Sequence, residues 1–267
     1  MIANCPAPLR LGIFVIFLLC LWLPVAIPLY LLLKNDPNLT TIVTMGILYL
    51  DFVFLLFIWN KKVYQITDWW RVYGLVFTRN NGLELVNGLT IGLFFTFGLF
   101  IVESALGWLN FVKPADSFPR IIFEGLLSAL GLALGEELIF RGWLLEEIKK
   151  DYSPKIAVLS NGLIFATLHF LKPLEEIIRT FPQFPALVLL GITLVWAKIG
   201  HSNRLGICIG LHGGLVWGYY IINVGKLVSY TDKVSPIFTG IDNNPLAGIM
   251  GLIGLSILSI LIKRKSR

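Results

Sequence analysis

Two acids and a base stand together in the run Leu-Gly-Glu136-Glu137-Leu-Ile-Phe-Arg141-Gly-Trp-Leu. On a helix, residues four apart share a face, so Glu137 and Arg141 are placed to pair. Glu136 projects about 100° away from Glu137. The spacing therefore ties down one carboxylate and leaves the other free, and a free carboxylate held out of bulk water suits a general base acting on water. A second group is Phe165 with His169, four residues apart and on one helical face. A third is Gly210-Leu-His212-Gly213-Gly214, where the glycines permit either close helix approach or exposed backbone N–H groups. A lone histidine on an apolar face more often packs than reacts. Two of them beside a Glu-Glu-Arg cluster change that balance. The chain has only three histidines, and His201, next to Ser202, Asn203 and Arg204, reads as a surface residue.

The surroundings make the cluster costly. Hydrophobic residues make up 56% of the chain and charged residues 14%, against about 25% charged in soluble domains. Mean hydropathy is +0.79. An ionised side chain at a bilayer centre costs ~2.5–3.5 kcal/mol on the mild insertion scale unless it pairs or meets water. The pattern predicts an all-α, polytopic membrane helical bundle with about eight transmembrane helices. They fall near Leu11–Leu33, Thr41–Trp59, Leu85–Val112, Ile121–Leu145, Ile156–Leu171, Ala186–Ile199, Leu205–Val224 and Leu246–Ile262. The fourth, fifth and seventh spans must converge if their acid and imidazole groups are to act together. No composition shift divides the chain, so residues 1–267 read as one membrane domain.

The formal net charge of +6 marks topology, not a nucleic-acid surface. With eight spans both termini share a side, and the basic residues concentrate there: Arg10, Lys61, Lys62, Lys149, Lys150, Lys198 and the terminal Lys263, Arg264, Lys265 and Arg267 among them. That bias predicts cytoplasmic termini. Residues 61–87 read as an interfacial segment around Trp69, Trp70, Arg71 and Tyr73. Asp51, in mid-span, reads as a helix–helix hydrogen bond ahead of the alternative, a relay. Residues 146–151 read as a solvated helix end with a Glu146–Lys150 pair. Lys172 to Pro185 reads as a polar loop because it holds three prolines. Cys5, Cys20 and Cys208 are too scattered for a disulfide framework or a zinc knuckle.

The order Glu-Glu-x-x-x-Arg, then Phe-x-x-x-His, then a histidine in a later helix resembles the CAAX protease and bacteriocin-processing family, intramembrane endopeptidases that include the type II CAAX prenyl proteases. The resemblance covers roughly Pro119 to Val224, and 119–224 would be the catalytic core. It implies that Glu136 and His169 activate the attacking water, that Glu137, Arg141 and Phe165 support the site, and that His212 stabilises the oxyanion. One position departs from the pattern. The family often has asparagine four residues after the last histidine, where this chain has Val216. Asn161, Trp217 or the backbone N–H of Gly213 would then have to serve as donor. No cofactor is expected, the alternative being a divalent metal such as zinc held by Glu136, His169 and His212, although no His-Glu-x-x-His motif is present. The expected partners are membrane lipids and a peptide or membrane-protein substrate, with no nucleic acid; oligomeric state is left open. Two other functions compete: a non-catalytic scaffold or immunity-like factor that retains the site residues, and a proton relay or transporter. The absence of a paired repeat disfavours the last.

Overall fold

The computed structural model describes residues 2–114 and 117–265. Arg267 of the basic terminus and part of the 114–119 loop lie outside the described residues. In chain order the helices are α1 (Ala7–Leu32), α2 (Pro37–Trp59), α3 (Trp69–Val72), α4 (Arg79–Ala105), α5 (Phe118–Glu137), α6 (Leu145–Lys149), α7 (Pro154–Leu168), α8 (Leu174–Thr180), α9 (Phe184–Gly200), α10 (Gly206–Val224), α11 (Pro236–Thr239) and α12 (Ile249–Lys265). Two stretches, Asn60–Tyr64 and Leu138–Leu144, are wound as π helix. Among the described residues the strands are an antiparallel pair of three residues each, β1 (Leu109–Phe111) and β2 (Val228–Tyr230), with Leu109 opposite Tyr230.

The fold is an all-α bundle of a membrane protein. Among the described residues five helical stretches are long and apolar enough to cross a bilayer: Ala7–Leu32, Pro37–Tyr64, Arg79–Ala105, Leu174–Gly200 and Gly206–Val224. The other three of the eight expected fall outside that set. α7 and α12 are 15 and 17 residues long. α5 has the length but carries Arg120, Glu124, Glu136 and Glu137. The expected polar loop at 172–185 is largely helical. Pro173 caps α8 and Pro185 opens α9, positions where a missing N–H costs nothing.

The chain contacts divide it into two compact units, one of residues 1–72 with 146–152 and the other of 73–145 with 153–267. In the first unit α1 packs on α2. Phe14 meets Phe52 and Trp59 edge-on, with ring centroids 5.8 and 5.4 Å apart. Asp36 starts α2 by accepting the Leu39 N–H at 3.0 Å. Asp51 is half-buried, and its Oδ2 accepts no hydrogen bond. In the segment expected to be a solvated helix end, Lys149, Lys150 and Asp151 are exposed, but Glu147 is the centre of a buried polar staple. Glu147 Oε2 accepts from Arg10 Nε at 2.9 Å and from the Tyr64 hydroxyl at 2.7 Å, while its Oε1 takes Lys150 Nζ at 2.8 Å. Glu146 pairs with Lys149. Arg10, counted above as a loop charge, is buried, and a buried guanidinium requires a carboxylate beside it.

In the second unit α10 is the central helix, packed along both α4 and α5. Gly88 and Gly92 on α4 face Gly210 and Gly214 on α10. A Cβ at Gly210 would overlap the backbone of Leu85 and Leu89, and one at Gly92 that of Leu211 and Leu215. Paired small residues at four-residue spacing let two helices approach to backbone contact. Gly210 and Gly214 therefore serve close packing. On α7 and α9, Gly162 and Gly191 meet in the same way.

Candidate active site

α5 runs to Glu137 and then widens into the π stretch Leu138–Leu144, which holds Arg141. Such a stretch inside an α-helix is rare and is found disproportionately at functional sites. Glu137 and Arg141 are fully buried and paired, Oε1 to Nη1, at 3.0 Å. The same Oε1 lies 2.8 Å from His212 Nδ1, brought in by α10. Arg141 is held further by the Gly191 carbonyl, 3.2 Å from its Nη2, and by the Phe165 ring, whose centroid lies 4.3 Å from the guanidinium carbon. Phe165 is the buried platform of the group. It meets Phe140, His169 and His212 at centroid distances of 5.0, 4.4 and 6.2 Å.

Glu136 is the carboxylate left over. It is half-buried, and its Oε2 has no hydrogen-bond partner. Two imidazoles face that one oxygen: His169 Nε2 at 3.8 Å and His212 Nε2 at 3.9 Å. These gaps are too long for direct hydrogen bonds and fit a small molecule bridging the three groups. His169 ends α7, and its Nδ1 lies 2.8 Å from the Phe165 carbonyl. A carbonyl only accepts, so Nδ1 carries the hydrogen and Nε2 of the neutral ring is left to accept. Glu137, as a carboxylate, likewise fixes hydrogen on Nδ1 of His212. One acid, two oriented imidazoles and a supporting ion pair thus converge from α5, α7 and α10.

Residues 118–218 match the family model described as type II CAAX prenyl endopeptidase Rce1-like. This segment is similar to that family over 118–218. No curated protein and no solved structure matches the chain. The Rce1-like segment opens at the start of α5 and closes within α10, so it contains every residue described above. Together with the apolar helices this likeness makes the chain an integral membrane protein.

Three residues of the Rce1-like segment were expected to stand in for the donor lost at Val216, and each is engaged elsewhere. Asn161 is fully buried, and its Nδ2 donates to the Phe140 carbonyl at 2.7 Å. Trp217 Nε1 donates to the Ile122 carbonyl at 2.9 Å. Ile122 lies near the opposite end of α5 from Glu136, roughly 21 Å along the axis at about 1.5 Å per residue. Gly213 sits inside α10, where its N–H belongs to the helical ladder, and it faces Leu130, Ala129 and Ala133. Of the donor candidates on α10, His212 Nε2 is the one left facing the acid, 3.9 Å from Glu136 Oε2. Among the described residues no group of three or more His, Cys, Asp or Glu is arranged to hold a metal ion. The mechanism proposed below uses Glu136, His169 and His212 without routing a step through a metal.

One site residue escaped the sequence reading. Lys198, counted above with the cytoplasmic charges, is fully buried on α9, and its Nζ donates to the Arg141 carbonyl at 2.7 Å. It lies two residues from the end of an apolar helix, where a lysine ordinarily extends to the interface. His201, expected at the surface, is half-buried, with its Nδ1 2.8 Å from the Ala197 carbonyl.

Proposed function

We propose that the chain is an intramembrane endopeptidase in which Glu136 and His169 activate a water and His212 stabilises the oxyanion. The observation that carries this reading is the convergence of two imidazole Nε2 atoms on the unpartnered Oε2 of Glu136, at 3.8 and 3.9 Å. A water bridging Glu136 Oε2 and His169 Nε2 gives one proton to Glu136 as its oxygen attacks the scissile carbonyl. The carbonyl π electrons move to oxygen, and that oxyanion meets the protonated Nε2 of His212. Glu136 then passes its proton to the amide nitrogen, the oxyanion collapses to a carbonyl as the C–N bond breaks, and a carboxylic acid and an amine leave, the acid's proton passing to His169 Nε2. Glu137 keeps His212 in one orientation and balances its charge, while Arg141 fixes Glu137. Donors that need not reorganise in a water-poor site account for much of the stabilisation in such reactions.

The family description supplies the first substrate to try, a prenylated CAAX-type peptide. With both termini taken as cytoplasmic, cleavage would occur on peptides reaching the membrane from that side. Purified protein in lipid nanodiscs should cleave a farnesylated, fluorogenic CAAX peptide, and Glu136→Ala should abolish cleavage while leaving thermal stability unchanged. Equal turnover by wild type and Glu136→Ala would overturn the reading. A second reading, a non-catalytic scaffold that retains these residues, is favoured by Val216 and by the engagement of Asn161, Trp217 and Gly213. It gains if Glu136→Ala and His169→Ala leave the cellular role intact in folded protein.

A further inference from the structure

We infer that Asn161 and Lys198 are positioning residues that clamp the π stretch on which the site is built. This rests on the reading of Glu136, His169 and His212 given above. The π stretch lies between the free acid, Glu136, and the rest of the helix, and it carries Arg141 at its centre. It has one residue more than the α register. Its collapse would turn one flank against the other by about 100° and draw Arg141 away from Glu137, Gly191 and Phe165. Two consecutive carbonyls of the stretch are gripped from outside. Phe140 O accepts the Leu145 N–H within the helix, and its remaining lone pair takes Asn161 Nδ2 from α7 at 2.7 Å. Arg141 O takes Lys198 Nζ from α9, also at 2.7 Å.

Both donors are fully buried. A buried ammonium is costly unless strongly hydrogen-bonded, and this one points at the main chain of the site rather than outward along its short path to the helix end. The clamp comes from α7 and α9, and the groups it serves lie on α5 and α10. The two donors bond the backbone carbonyls of residues 140 and 141, and they act through that backbone and from there through Glu137 on His212.

The test uses full-length protein in nanodiscs with isotope-labelled histidine, since three rings give three assignable signals. Asn161→Leu removes the donor yet leaves Phe140 O its backbone partner, and Lys198→Met removes the charge at similar length. Both are expected to fold. The clamp predicts a shifted His212 ring signal and faster amide exchange over residues 138–144 in each variant. It also predicts kcat lowered about tenfold to a hundredfold at unchanged KM for the prenylated peptide. Lys198→Arg, which keeps a cationic donor, should restore most of each. Unchanged His212 signal and exchange in a folded variant overturn the clamp, as does a fall in thermal stability with kcat per folded molecule preserved. If wild type cleaves no peptide, the proposed function fails, and the ring signals and exchange still decide the clamp.

Discussion

Glu147 in the first unit and Glu137 in the second are both buried carboxylates, each with an arginine within 3.0 Å, and they differ in what is left over. Around Glu147 both oxygens are used, by Arg10, Tyr64 and Lys150. Around Glu137 one oxygen takes both Arg141 and His212, its Oε2 takes nothing, and the neighbouring Glu136 keeps a second unpartnered oxygen in front of two imidazoles. A network that only holds helices together has no reason to leave buried acceptors open, because each costs about 1–3 kcal/mol. A network that must receive a substrate has that reason. The unsatisfied atoms, more than the buried charge, separate the site from the staple.

Mutation can break this comparison at either end. The largest effect is expected from Glu136→Gln, which keeps the shape and removes the base. Peptide turnover should fall by about 10²–10⁴, with the melting midpoint unchanged or raised. Arg10→Met should do the converse. It strips the guanidinium from buried Glu147 and should lower unfolding free energy by about 3–5 kcal/mol in denaturant titration, with kcat of the remaining folded protein unaltered. A stable Arg10→Met protein with lost activity would dissolve the distinction.

Val216→Asn tests the open end of the site. It offers a hydrogen-bond donor one helical turn beyond His212, where the resemblance implies one, and should raise kcat about tenfold if oxyanion stabilisation limits the rate. The smallest effect belongs to a third kind of pair, the exposed one. Asp242 meets Arg179 bidentately at 2.7 and 2.9 Å, and this pairing holds its carboxyl below the usual range. A lowered folded value means that the contribution is present above the unfolded value and is lost as pH falls through the folded one. Asp242→Asn should therefore lower the melting midpoint slightly at pH 7 and make no difference at strongly acid pH, in proportion to the small worth of surface pairs.

Some of this was legible in the sequence because it is local. The Glu137–Arg141 pair follows from four-residue spacing, and so does the freedom of Glu136. The stacking of Phe165 on His169 follows in the same way. Other features gave no signal. The π stretch needs one extra residue in a helix whose composition looks ordinary. Lys198 reads as an interfacial anchor until α9 is seen to bury it. Arg10 and Glu147 read as solvated because what buries each is a partner far away in the chain. The helix at α8 was obscured by prolines whose harmless N-terminal positions depend on where the helices begin. Asn161, Trp217 and Gly213 all offer donors on paper, and only packing shows that each is already engaged.

Composition and periodicity alone settled that this chain is a helical membrane protein with acids and imidazoles where lipid would otherwise be, since both follow from spacing along a single strand of residues and from the energy of burying charge. Which oxygen stays open, which nitrogen faces it and which buried cation holds the widened turn were decided by the approach of α5, α7, α9 and α10. Glycines at their contacts set that approach, and contacts between residues far apart in the chain leave no periodic trace in its order.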